Sequence, residues 1–203
     1  MAQTIISGEE KAWELLLGKD PAEVCRNALA GYDGETGLYT LRSLGMEFTL
    51  DPKQKSITSA APESSLLLTR LAYFFKLSVP WYLVSAKDIA LTGRLVKPTN
   101  LAGGQLFFQG SHVLPLEKVA EKYAADREGF LERGARFGGE RAGYGDAAFR
   151  FSPLPRVPAF LILWLADEEF PARVDLLFDS SCELQLPLDI IWSIAMMSLL
   201  VML

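Results

Sequence analysis

His112 is the only histidine in this 203-residue chain, and so the only side chain whose ordinary pKa lies near neutrality. Acid–base or nucleophilic chemistry at pH 7 therefore depends on it, or on carboxylates shifted by their surroundings. His112 closes the segment GGQLFFQGSH, where Gly103, Gly104 and Gly110 let main chain approach a ligand closely. The same residues also suit a plain loop histidine ahead of a helix start. Asp146, Asp167 and Glu168 complete the candidate acid–base set with His112. Asp167, Glu168 and Glu169 offer oxygen ligands to Mg²⁺ or Ca²⁺, but neighbours in an extended segment point opposite ways. Asp175 and Asp179 are better placed on one strand face, and a solvated turn with a surface ion pair to Arg173 is the plain reading of these acids. No residue is assigned as a metal ligand, and the cofactor is left open.

A second glycine-rich loop, GARFGGERAGYGD from Gly134 to Asp146, sets Arg136 and Arg141 among glycines. Guanidinium forks and exposed main-chain N–H groups can hold an anion there; a mobile connector is the structural alternative. Arg150 and Arg156 lie just beyond, and Trp164 precedes the acidic turn. The spacing is not that of a Walker loop or a dinucleotide fingerprint, and no G-x-S-x-G elbow supports a hydrolase.

The elements that must position these residues follow from periodicity. Ser7 and Glu10 have capping-box spacing, Asp20-Pro21 repeats a helix start, and Gly31 is the expected stop, so two helices fill residues 1–31. Met46, Phe48 and Leu50 alternate with polar residues inside a small antiparallel meander over 38–60. Residues 62–138 read as mainly helical: one helix starts at Pro62 and Glu63 and ends at Val79-Pro80. A longer one starts at Pro115 and Glu117, with Leu116, Ala120, Tyr123, Phe130 and Leu131 as its apolar stripe. Arg127, on that stripe, is expected to lay its stem along the core. Over 147–180, Ala147, Phe149 and Phe151 alternate in a strand with one wet face, residues 157–166 are apolar at both parities like a central strand, and Arg173 to Asp179 form another strand. The uncharged run from Ile190 to Leu203 is too short for a membrane span and reads as a buried helix within 186–203. Its Met196-Met197 pair suits either a packed core or an adaptable binding face. Strands and helices without a βαβ rhythm predict a single α+β domain with an antiparallel sheet.

A net charge of −5 and no concentrated basic face argue against nucleic acid. The N-terminus has no secretory pattern, so a cytoplasmic protein with no membrane role is expected. Cys25 and Cys182 are too far apart in sequence for a C-x-x-C site.

The runs GYGDAAFRF (143–151), PLPRVP (153–158), LWLADEEFPA (163–172) and LLFDSS (176–181) resemble an uncharacterised family of bacterial and archaeal proteins known only as a domain of unknown function. LTGRLV (91–96) and GGQLFFQG (103–110) extend the resemblance over most of the chain. It implies an origin typical of anaerobes, with an iron–sulphur segment attached in some members, but this sequence has no such cysteine cluster. No catalytic residue is carried over. Three readings remain open. The first is a module binding a small anion or a protein partner through the two glycine loops; the second is an acid–base or metal-assisted enzyme using His112, Asp146, Asp167 and Glu168. The third is a self-associating structural protein.

Overall fold

Two antiparallel sheets take up the alternating segments, and the computed structural model describes residues 8–203. The helix start expected at Ser7 lies outside the described residues. The first sheet is a meander in sequence order: β1 (Gly31–Asp33), β2 (Leu38–Ser43), β3 (Met46–Asp51) and β4 (Ser56–Thr58). Leu41, Phe48 and Leu50 are buried while Arg42 and Glu47 are exposed, the alternation of a sheet with one wet face. The second sheet comprises β5 (Leu95–Val96), β6 (Glu140–Arg141), β7 (Ala147–Leu154), β8 (Val157–Trp164) and β9 (Arg173–Asp179), in the order β5-β9-β8-β7-β6. β8 is central, as its apolar run requires. β7 buries Phe149 and Phe151 and leaves Arg150 and Ser152 partly exposed. Its register with β8 shifts between Phe151 and Leu154. There the Ser152 carbonyl accepts Leu44 N at 2.8 Å and the Pro153 carbonyl accepts Ser43 Oγ at 2.6 Å, so the β2–β3 hairpin docks on β7 and both sheets share one core.

The first helices are α1 (Gly8–Leu17) and α2 (Pro21–Ala28), the second capped by Asp20, which accepts Ala22 N. Gly31 is not the stop. Leu29 turns left-handed at φ +52 and Ala30 N bonds back to the Cys25 carbonyl, while Gly31 opens β1, where a Cβ would meet Thr40 Oγ1 at 2.3 Å.

Leu66–Arg70 is a π-helical turn leading into α3 (Ala72–Ser85), which runs through Pro80 instead of ending there. Val79, Pro80, Tyr82 and Leu83 are all buried, and α3 packs on α1 and α8 (Leu188–Leu200). That apolar burial outweighs the hydrogen bond a proline removes.

After the short α4 (Gly104–Phe107), the single long helix expected from residue 115 is two: α5 (Leu116–Lys122) and α6 (Arg127–Arg136). Asp126 caps α6 by accepting Gly129 N at 2.8 Å, and the break moves Arg127 off the apolar stripe to an exposed first turn, where its Nε bonds the Asp146 carbonyl at 2.8 Å. The stripe residues Ala120, Tyr123, Phe130 and Leu131 are buried nonetheless.

α7 (Cys182–Gln185) precedes α8, whose core-facing residues are almost fully buried. Arg133 Nε, Tyr123 Oη and Lys122 Nζ bond the carbonyls of Val201, Met202 and Leu203, satisfying acceptors that a helix end leaves open. No described helix is long and apolar enough to cross a membrane. The architecture is a single α+β domain with two antiparallel sheets.

Candidate functional site

A cavity of about 800 Å³ opens where α5, β9 and α8 meet the segment after β5. Periodicity explains its apolar floor. Leu116 begins the inward stripe of α5, Leu176 points from β9, and Met196 and Leu200 lie four apart on one face of α8. Phe108 adds an aromatic ring to the lining. Around the mouth stand Arg70, from the π-helical turn, Lys97, just past β5, and Lys118, on the exposed side of α5. They outnumber the two carboxylates there, Glu117 and Asp175, in a chain that is acidic overall. Arg70 and Lys118 make no ion pair with a described residue. Lys97 Nζ lies 2.8 Å from Asp175 Oδ1, and Asp175 Oδ2 accepts Trp164 Nε1 at 3.1 Å. That pair leaves the lysine two further N–H donors. Among the described residues, the surface ion pair expected between Arg173 and the neighbouring acids does not form: Asp175 pairs with Lys97 instead. The Arg173 guanidinium lies over the Trp164 ring, 4.6 Å from the centroid.

His112 ends a 3₁₀ turn and stacks on Phe107, with ring centroids 4.4 Å apart, and edge-on against Trp192 at 4.9 Å. Trp192 Nε1 donates to the His112 carbonyl at 3.0 Å. Asp146 Oδ2 accepts Leu165 N at 2.8 Å, and Asp167 Oδ1 accepts Glu169 N and Phe170 N, shaping the turn after β8. Glu168 is exposed. Among the described residues no hydrogen bond or ion pair joins His112 to these carboxylates, and the main cavities do not bring it together with any of them.

Gly103 adopts φ +75 at the head of α4. Gly104 is packed so closely that a Cβ would meet the Pro98 carbonyl oxygen at 2.3 Å. In the second glycine loop, Gly138 lies back to back with Gly45 of the β2–β3 turn; a Cβ on Gly138 would meet Gly45 Cα at 2.6 Å. Arg136 is exposed at the end of α6. Arg141 lines a hollow of about 220 Å³ with Arg127 and Gly143 to Ala148. Arg150 lies 3.4 Å from Glu140 across the β6–β7 pair.

Arg156 is turned inward. Nε donates to the Asn27 carbonyl at 2.6 Å, Nη1 to Ile89 at 3.3 Å and Nη2 to Arg26 at 3.1 Å, with Asp88 as the ion-pair partner. Its own main-chain N donates to Tyr82 Oη. Burial raises the Tyr82 phenol well above its ordinary range, keeping it neutral. Two further side chains hold the irregular segment 86–94. Gln185 exchanges hydrogen bonds with both main-chain groups of Lys87, and Asp179 takes the Thr92–Gly93 turn.

Lys97 and Arg70 were not singled out by sequence, because they are isolated cations on unrelated elements. The signals that did point to the cavity were Met196, as a possible binding face, and Asp175.

A family model described as a domain of unknown function (DUF3786) matches residues 20–200. No curated protein and no solved structure matches the chain.

Proposed function

The chain belongs to the DUF3786 family, a domain of unknown function, and from that premise we propose that it is a cytoplasmic binding module for a small amphipathic anion. The observation carrying this reading is the 800 Å³ cavity with its apolar floor and a mouth bearing Arg70, Lys97 and Lys118. An aliphatic or aromatic body gains by leaving water against Leu116, Leu176, Met196 and Leu200, and an anionic head meets cations at the rim. Lys97 serves as the anchor, sharing its ammonium between Asp175 and the ligand.

The test is titration with anilinonaphthalene sulfonate, whose fluorescence rises in an apolar site. Decanoate should displace it and decylamine should not. Lys97→Glu and Arg70→Glu should each weaken binding at least tenfold, and Met196→Trp should block it by filling the floor. Equal displacement by the amine, or binding indifferent to all three substitutions in folded protein, overturns the proposal.

A further inference from the structure

Further along α5, towards its C-terminal end, lies a second trough of about 560 Å³ between that helix and the chain leading into β9; it shares Leu116 and Glu117 with the anion cavity. Leu116 and Ala120 lie one turn apart along its helical wall, Ala124 continues the row just past the end of α5, and Ala172 and Val174 form the facing wall. The small alanines keep the walls apart. The helical rim carries Glu117 and Glu121, exposed, four residues apart and without an ion pair to any described residue. Like charges at that spacing disfavour a helix. The one cation at the rim, Arg173, already lies on the Trp164 ring. The facing wall begins at Ala166 and resumes at Pro171, so the acidic turn Asp167 to Glu169 projects beside the trough, with Phe170 66% exposed. An apolar channel bordered by unpaired carboxylates is complementary in both respects to a cationic amphipathic segment. Arg70, Lys97 and Lys118 line the anion cavity alone, whereas Leu116 and Glu117 border both hollows.

We propose that this trough docks a basic amphipathic peptide segment of a partner protein, seating aliphatic side chains between Ala120 and Ala172 and pairing Lys or Arg with Glu117 and Glu121.

Fluorescein-labelled twelve-residue peptides of leucine with lysine, and of leucine with glutamate, test the idea by fluorescence anisotropy on the full chain. The lysine peptide should bind and the glutamate peptide should not. Glu117→Lys with Glu121→Lys should weaken binding at least tenfold, and Ala124→Trp, which fills the trough at a half-buried position, should do the same in protein shown folded by circular dichroism. Glu132→Lys, an equal charge change on α6, should leave binding unchanged. Three results overturn the proposal: equal weakening by Glu132→Lys, which marks mere net-charge attraction; displacement of the peptide by decanoate, which places it in the other cavity; and a dimer in ultracentrifugation that Ala124→Trp dissociates, which makes the trough a self-contact.

Discussion

Asp179 and Thr92, 87 positions apart, meet beside the edge strand β5 of the second sheet: Asp179 Oδ1 accepts Thr92 N at 3.0 Å and Thr92 Oγ1 at 2.9 Å. Oδ2 accepts Gly93 N at 2.7 Å, and Oδ1 also takes Ser181 N at 2.9 Å. Two of the motifs that carry the family resemblance, LTGRLV and LLFDSS, are thus joined by one buried carboxylate. Burial pushes that carboxyl up, but the hydrogen bonds from Ser181 and Thr92 together outweigh it and bring its pKa down to about 2.

Asp179→Asn should therefore destabilise the protein by about 2 kcal/mol at pH 7, measured by urea unfolding. The folded pKa lies below the ordinary 3.8, so the stabilisation is complete above that value and fades as pH falls through it towards about 2. The gap between wild type and variant should narrow over that window. A gap constant from pH 6 to pH 2 would contradict the account.

Arg156→Lys keeps the charge but loses the planar fork that reaches the carbonyls of Arg26, Asn27 and Ile89. A loss of about 2 kcal/mol is expected, with faster amide exchange across residues 86–91 by mass spectrometry. Binding of anilinonaphthalene sulfonate should be unaffected, since Arg156 does not line the cavity.

Gly138→Ala puts a methyl group 2.6 Å from Gly45 Cα at a residue with φ +70, and the β2–β3 turn and the loop after α6 must move apart. It should cost about 2–3 kcal/mol and lower Tm accordingly. Gly143→Ala, in the same loop, meets nothing within 4 Å and should stay within about 0.5 kcal/mol. Equally small effects would show that the loop is a free connector throughout.

The Cys182 thiol is pushed up to about 12 by burial first, then by the nearby Glu183 and Asp179 carboxylates; Cys25, half-buried, is raised by burial. Iodoacetamide at pH 8 should add once to the native protein, slowly and at Cys25, and twice in concentrated guanidinium. Native modification of Cys182, read by peptide mass spectrometry, would show that its pocket opens.

Local pattern exposed much of the framework. Met46, Phe48 and Leu50 marked a half-wet sheet, and the two-parity apolar run marked β8 as the middle strand, because a strand's two faces are written in alternate residues. Helix ends were harder. Leu29 turns where Gly31 was expected to, α3 continues through Pro80, and Asp126 interrupts a stripe that reads as continuous, since each depends on packing that no short window contains.

By itself the sequence determined the α+β class, the central place of β8, the buried final helix and the absence of the common nucleotide-binding and hydrolase motifs, all properties of local order and composition. Only the tertiary structure decided which charges are locked into the framework and which gather around a cavity. Arg156 and Asp179 look like surface ions in sequence, yet both are held by partners 67 to 130 positions away, whereas Arg70, Lys97 and Lys118 converge on one cavity from separate elements. The physical reason is that an ion's place depends on where main-chain carbonyls and N–H groups lie in space, which is known only after the chain has closed on itself.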